Sequence, residues 1–216
     1  MTKSEIIPRL LDPGIVAILR AESTAGFTEV ADALYAGGVR ALEVTMTTPG
    51  VLDCLSELAA RFEGRMLIGV GSVIEGEACR TAILSGAEFV VTPVTKSAVI
   101  RIANHYGKPI ASGAYTPTEA LAAHEMGADF IKIFPADLGG PAFIKNILAP
   151  LPMLRIIPTG GVTPETAGDF LRAGSVALGA GSTLVNKDAL KRGDWAAITA
   201  RAKEFVDAVS AARAKG

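Results

Sequence analysis

The amino-acid sequence predicts a (β/α)8 barrel, the TIM barrel, as a single domain over residues 1–216. Short apolar runs alternate with longer segments of helical period along the whole chain. Half of the residues are hydrophobic, only 6% are aromatic and 23 are glycine, which is typical of a core of small and branched side chains with many tight turns. Such alternation produces parallel strands, and eight of them close into a barrel. A doubly wound open sheet has the same alternation and is the alternative.

The apolar runs divide the chain into eight strand and helix units. The predicted strands are GIVAILR (14–20), ALEVTM (41–46), LIGVGS (67–72), FVVTP (89–93), PIASG (109–113), FIKIFP (130–135), RIIPTG (155–160) and VALGAG (176–181). The segments of helical period include 28–38, 51–62, 75–87, 96–107 and a last helix at about 192–212.

Charge and composition exclude several classes of function. The chain has 21 Lys and Arg against 22 Asp and Glu, so its net charge of −1 does not favour nucleic acid as a partner. No apolar run reaches the ~18 residues of a membrane span, and a cytoplasmic protein is expected. Cys54 and Cys79 are isolated, and His105 and His124 are the only histidines. We therefore expect neither a disulfide nor a metal site, and no cofactor.

Lys132 is the most informative residue of the sixth predicted strand. Side chains alternate along a strand, so Lys132 points into the barrel if Ile131 and Ile133 face the helices. Burial favours the neutral amine, which is the form that attacks a ketone to give an imine. Position alone leaves two alternatives open, because Lys132 can also pair with an inward carboxylate or extend outward between helices.

Glu43 and Thr45 lie at the end of the second predicted strand. If Leu42 and Val44 face outward, both polar side chains face the lumen. A carboxyl group near Lys132 would move the protons that imine formation and C–C cleavage require, so Glu43 is the candidate general acid and base. A structural salt bridge to Arg20 or Lys132 is the other interpretation of Glu43.

Glycines cluster after the seventh and eighth predicted strands. Phosphate commonly binds there in TIM barrels, because backbone N–H groups approach an anion where side chains are absent. Glycine in a tight turn is the simpler explanation, but the paired motifs on neighbouring strands favour a phosphate site. The candidate phosphate-binding residues are Gly160, Gly161, Gly181 and Ser182.

Other polar or aromatic residues at strand ends are less specific candidates for substrate binding. Arg20 follows the first strand and is suited to hold a substrate carboxylate, Ser72 adds a hydroxyl after the third, and Thr159 follows the seventh, where it is suited to contact a substrate hydroxyl. Each of them is also compatible with a turn or a rim position. The remaining candidates for the pocket wall are Thr92, Pro93 and Phe134.

Together these motifs resemble the 2-keto-3-deoxy-6-phosphogluconate (KDPG) aldolase family, which includes 4-hydroxy-2-oxoglutarate aldolase activity. The motifs are GIVAILR, LEVTMTTPG, IGVGSV, FVVTPV, FIKIFPADLGGPAFIK, PTGGVTPE and LGAGSTLV, which extend over residues 14–188 in the order and spacing of the family. The resemblance implies a homotrimeric TIM barrel that cleaves a small 2-keto acid phosphate, KDPG, to pyruvate and glyceraldehyde 3-phosphate. It also implies a Schiff-base lysine at Lys132, a general acid and base at Glu43 and a substrate contact at Thr159.

The chain departs from the family pattern in two places. Some members have an arginine where this chain has Thr47, so the resemblance leaves Arg20 to bind the substrate carboxylate. Many members read Pro-Gly where this chain has Ser112 and Gly113. The galactonate-type relatives tend to have an aliphatic residue at the position of Thr159, which favours the gluconate epimer here.

Three other functions stay open on the sequence. The same chemistry would act on 2-keto-3-deoxy-6-phosphogalactonate or on unphosphorylated 4-hydroxy-2-oxoglutarate. A phosphosugar isomerase or epimerase would share the phosphate site, although such reactions usually need no inward lysine. A binding or assembly protein on the same barrel is the third.

Overall fold

The structure, a computed structural model, describes residues 1–214. Its strands are β1 (Ile15–Leu19), β2 (Ala41–Thr45), β3 (Leu67–Gly71), β4 (Val90–Val91), β5 (Ile110–Ala114), β6 (Phe130–Ile133), β7 (Ile156–Pro158) and β8 (Leu178–Ala180). Its α-helices are α1 (Lys3–Leu11), α2 (Phe27–Ala36), α3 (Val51–Arg61), α4 (Gly76–Leu84), α5 (Ser97–His105), α6 (Pro117–Glu125), α7 (Gly140–Leu148), α8 (Pro164–Arg172), α9 (Lys187–Arg192) and α10 (Trp195–Arg213). A 3-10 turn, Ala136–Leu138, links β6 to α7.

All eight strands run parallel and form a closed barrel. Each strand from β1 to β6 pairs with its successor in sequence, and β1 also pairs with β8. A parallel bridge between Thr159 and Gly179 joins the end of β7 to β8 and completes the ring. The predicted TIM barrel is therefore confirmed, and the open sheet is excluded.

The lower half of the barrel is filled with apolar side chains. This layer comprises Val16, Ala41, Leu67, Phe89, Val91, Ala111, Phe130, Ile157 and Ala177. Helix α1, which the sequence patterns did not predict, places Ile6 and Leu10 against the layer. The Glu5 carboxylate stabilises the start of α1 by accepting a hydrogen bond from the backbone N–H of Thr2 at 2.7 Å. The amino-terminal end of the barrel is thus closed, and polar groups of the lumen are concentrated at the opposite end.

Several elements are shorter than their predicted bounds. Strand β4 has two residues rather than five, and β7 and β8 have three rather than six. Beyond β4, Pro93 has no N–H to continue the ladder. The last helix begins at Trp195 rather than near residue 192. Gly193, with φ +66°, ends α9, and the Asp194 carboxylate accepts a hydrogen bond from the N–H of Ala197 at 3.1 Å to begin α10.

The helices form the outer layer of the barrel. Helix α10 packs on α8 and α2, and its Ile198, Phe205 and Val209 are buried. Among the helices of residues 1–214, none combines the length and the apolar character that a membrane span requires.

Candidate active site

Lys132 lies in the barrel lumen at the level where the apolar layer ends. In the barrel register Lys132 is opposite Gly113 of β5 and Ile157 of β7, and its side chain is 8% exposed. The ammonium Nζ is 5.5 Å from the centre of the Phe134 ring, which is partly exposed at the rim. The sequence prediction that Lys132 points inward therefore agrees with the structure.

Glu43 faces Lys132 across the lumen from β2. Its side chain is 2% exposed, and Oε1 lies 3.9 Å from Lys132 Nζ, which is too long for a hydrogen bond. No hydrogen bond to Oε1 is made by any of residues 1–214. Burial raises the pKa of Glu43, while the positive charges of Lys132 and Arg20 act in the opposite direction. This carboxyl group is therefore a stronger base than an exposed glutamate, and it is not part of a contact ion pair.

Thr159 is the third polar residue at this level of the lumen. Its backbone N–H donates to the carbonyl of Ile133 at 2.9 Å, and its carbonyl accepts from the N–H of Ala136 at 2.8 Å. These bonds fix the end of β7 beside the end of β6. Thr159, Glu43 and Lys132 all border an internal cavity of about 20 Å³, whose other walls are mostly side chains of the apolar layer.

Arg20 and Ser72 are joined at the rim above these groups. Arg20 Nη2 donates a hydrogen bond to Ser72 Oγ at 3.0 Å, and the arginine is exposed. Ser72 has φ +58° and is the one non-glycine residue with positive φ in the described part of the chain. This backbone conformation is unfavourable by roughly 1–2 kcal/mol for an L-residue, so the turn holds the hydroxyl beside Arg20 at a cost in stability.

A group of threonine hydroxyls follows β2. Thr45 is fully buried, and its Oγ1 lies 3.1 Å from Thr47 Oγ1 and 3.4 Å from Thr48 Oγ1. Thr48 Oγ1 also accepts from the N–H of Ala21 at 3.4 Å, which links this turn to the residue after Arg20. Thr47 itself is exposed on the same rim.

The turns after β7 and β8 lie side by side. Gly160 and Gly161 have φ +97° and +67°, a conformation that only glycine adopts readily. Thr183 Oγ1 donates to the carbonyl of Val162 at 2.6 Å and ties the two turns together. Within residues 1–214, the backbone N–H groups of Gly160, Gly161 and Ser182 donate no hydrogen bond. Free N–H groups in a turn before a helix, here α8, suit an anion.

The other predicted residues have structural contacts or lie elsewhere. Thr92 is buried and its Oγ1 accepts from the N–H of Gly113 at 2.9 Å, so this hydroxyl fixes β4 against β5 beside Pro93.

Burial raises the pKa of the Cys54 and Cys79 thiols to about 11, so both are poor nucleophiles. Within residues 1–214 no cluster of His, Cys, Asp and Glu is arranged to hold a metal ion.

Sequence reasoning missed two glycines that touch the polar residues of the lumen. A side chain at Gly71 would overlap the Glu43 carboxylate, and one at Gly179 would overlap the Thr159 hydroxyl. Both lie at inward positions of strands beside those residues. The alternation of glycine in IGVGS and ALGAG is the sequence signal that indicates this arrangement.

The chain is similar in sequence to known aldolases over most of its length. The family model described as KDPG and KHG aldolase matches residues 6–201. The 2-dehydro-3-deoxy-phosphogluconate aldolase of Pseudomonas aeruginosa is 32% identical over 89% of this chain and 88% of that protein. The 2-dehydro-3-deoxy-6-phosphogalactonate aldolase of Escherichia coli is 34% identical over 79% of this chain and 83% of that protein.

A solved structure agrees with the sequence comparisons. The KDPG aldolase of Legionella pneumophila, with pyruvate captured at low pH as a covalent carbinolamine intermediate, superposes with a TM-score of 0.83. It is 27% identical, and the match covers 89% of this chain and 93% of that one. With the family model spanning nearly all of the barrel and two relatives above 30% identity, the chain belongs to the KDPG/KHG aldolase family of class I carbon-carbon lyases.

Proposed function

We propose that this aldolase cleaves KDPG to pyruvate and glyceraldehyde 3-phosphate through a Schiff base on Lys132, with residues 1–216 acting as one domain. The observation that carries the proposal is the pairing of a buried amine with a buried carboxylate at 3.9 Å, whose Oε1 has no hydrogen bond from residues 1–214. An amine and a base this close together can act on the same substrate, the amine on its carbonyl carbon and the base on a nearby hydroxyl.

In the proposed mechanism, Lys132 Nζ attacks the C2 ketone of the substrate to give a carbinolamine. Loss of water forms the iminium, which accepts the electron pair of the C3–C4 bond when that bond breaks. Glu43 takes the proton of the C4 hydroxyl as C4 becomes the aldehyde, and returns it to C3 of the enamine. Water then hydrolyses the imine, which releases pyruvate and the free amine.

The rest of the site is assigned to the two ends of the substrate. Arg20, held by Ser72, binds the carboxylate of the pyruvate half, and Thr45 and Phe134 border that part of the pocket. Thr159 contacts the hydroxylated chain. The free N–H groups around Gly160, Gly161 and Ser182, with Gly181, bind the phosphate.

A substrate panel tests this assignment. We expect kcat/KM to be highest for KDPG, lower for the galactonate epimer, and lower by at least about tenfold for unphosphorylated 4-hydroxy-2-oxoglutarate, because a charge-assisted contact contributes about 1.5–3 kcal/mol. The E. coli galactonate-type relative is as similar to this chain as the gluconate-type one, so the epimer is the sharpest comparison. A preference for the galactonate epimer would overturn the KDPG assignment while leaving the aldolase chemistry intact.

Replacement of Arg20 by alanine tests the carboxylate contact. We expect KM to rise by about tenfold to a hundredfold with a smaller change in kcat, because the contact forms in the ground state as well as in the transition state. Arg80→Ala is the matched control, since Arg80 is an exposed arginine that bonds Tyr106 on the helical layer. An unchanged KM in Arg20→Ala would assign the carboxylate to another group.

We also propose that the enzyme is a homotrimer. Three large apolar side chains, Ile74, Val94 and Leu138, are 51%, 47% and 74% exposed at the rim that follows β3, β4 and β6. Exposed apolar surface on one side of a barrel favours association. Light scattering measures the mass of the assembly directly.

A further inference from the structure

Gly71 stands beside Glu43 on the lumen side of the neighbouring strand. In the pairing of β2 with β3, Glu43 is opposite Gly69 and Thr45 is opposite Gly71, so all four residues lie on the inward face. A Cβ at Gly71 would overlap Oε1, Cδ and Cγ of Glu43. Gly71 is not among the residues with positive φ. The backbone conformation at position 71 therefore does not require glycine. Glycine is required there because any side chain would occupy the space of the Glu43 carboxylate.

Glu43 also borders the internal cavity. Its lining includes Lys132, Thr159 and the apolar residues of the lower layer. The carboxylate of Glu43 lies against β3 at Gly71, and its Oε1 accepts no hydrogen bond from residues 1–214. The same oxygen is 3.9 Å from Lys132 Nζ.

We propose that Gly71 is a positioning residue for the aldolase reaction, because its missing side chain lets Glu43 lean on β3 and keeps the carboxylate out of a contact ion pair with Lys132. This inference rests on the proposed roles of those two residues. A contact pair would stabilise the ammonium and the carboxylate together, which removes both the nucleophile and the base. The charged groups that face Glu43 are Lys132 from β6 and Arg20 from the end of β1. Of the ionisable side chains in residues 1–214, Glu43 and Lys132 are the two that line the cavity.

The variant Gly71→Ala tests the proposal. The atoms that the new methyl group would meet belong to a flexible side chain, so the protein is expected to fold with the carboxylate displaced into the cavity. We expect kcat for cleavage to fall by about tenfold to a hundredfold with a smaller change in KM, the size of effect that a misplacement of about 1 Å produces. The pH at which pyruvate and borohydride trap half of the enzyme should move to more alkaline values, because a closer carboxylate favours the ammonium form.

Gly69→Ala is the matched control. Gly69 lies on the same strand and the same face, but its Cβ would meet the ring of Phe89 rather than Glu43. We expect this variant to lower the melting temperature without moving the pH dependence of trapping. A shift of equal size in both variants would mean that any methyl group in β3 perturbs the lumen, and would overturn the proposal.

Shortening Glu43 supplies a second readout. In a Glu43→Ala background none of the atoms that the added methyl group would meet remains, so Gly71→Ala should cost less than about threefold in kcat there. An equal cost in both backgrounds contradicts the inference. If Gly71→Ala does not fold by itself, the yield of soluble protein is compared in the same Glu43→Ala background. Recovery of soluble protein in that background supports the overlap, and failure in both backgrounds overturns it.

The experiments distinguish a failure of the proposed function from a failure of the proposed role of Gly71. A wild-type enzyme that pyruvate and borohydride do not label at Lys132 contradicts the proposed function. Labelling of the wild type together with an identical rate and pH dependence in Gly71→Ala contradicts only the role of Gly71.

Discussion

Lys132→Ala is expected to lower kcat/KM for aldol cleavage by at least about 10⁴-fold, the scale seen when a covalent nucleophile is removed. The loss follows from the mechanism, because without the amine no iminium forms and the C3–C4 electron pair has no acceptor. The variant should also lose all labelling by pyruvate and borohydride, which peptide mass mapping measures. The side chain is buried beside a carboxylate, so the fold should survive its truncation better than its charge reversal.

Lys145→Ala is the control for this experiment. Lys145 lies in α7 on the outside of the barrel and is exposed. It should be neither labelled nor required for activity. Full activity in Lys132→Ala, or a pyruvate adduct on another lysine of the wild type, would contradict the proposed mechanism.

Glu43→Gln is expected to lower kcat by about 10²- to 10⁴-fold, the usual contribution of general acid and base catalysis. The amide keeps the size of the side chain but neither accepts the proton of the C4 hydroxyl nor returns one to the enamine. Trapping of pyruvate at Lys132 should remain detectable, because the nucleophile is still present. Retention of full cleavage activity over the pH range would assign the proton transfer to another group.

The same substitution should make the protein more stable at neutral pH. Burial raises the pKa of Glu43 above its ordinary value of 4.5, so the protonated form is the one that the fold favours. The contribution of protonated Glu43 to the stability of the fold is complete below the unfolded-state pKa, and it is lost as the pH rises through the higher folded-state pKa. The melting temperature of Glu43→Gln should therefore exceed that of the wild type increasingly from about pH 4.5 upward and by a constant amount at higher pH. A wild type that gains stability over this window relative to the variant would contradict the raised pKa.

The sequence predicted the barrel because the signal was repeated eight times. Errors in the length of one strand, such as β4, do not change the number of units or their order. Helix α1 was missed because its pattern occurs once and contains Pro8, which ordinarily argues against a helix interior. Packing of Ile6 and Leu10 on the open end of the barrel supplies the stabilisation that the local sequence does not indicate.

For the site, the sequence determined which polar side chains point inward. Strand alternation is a local property, so the inward direction of Lys132 and Glu43 follows from their neighbours in sequence. Sequence patterns also located the glycine turns after β7 and β8. They did not decide whether Lys132 and Glu43 form a structural ion pair or a reactive one, because that depends on a distance between β2 and β6.

The tertiary structure decided that distance. It places Gly71 of β3 against the Glu43 carboxylate, and it holds Glu43 Oε1 and Lys132 Nζ 3.9 Å apart without a hydrogen bond beside a small cavity. The hydrogen bond between Arg20 and Ser72 likewise joins residues that are 52 positions apart. Local pattern specifies the direction of a side chain, whereas separations between strands depend on how the whole ring closes. Only the folded barrel fixes those separations.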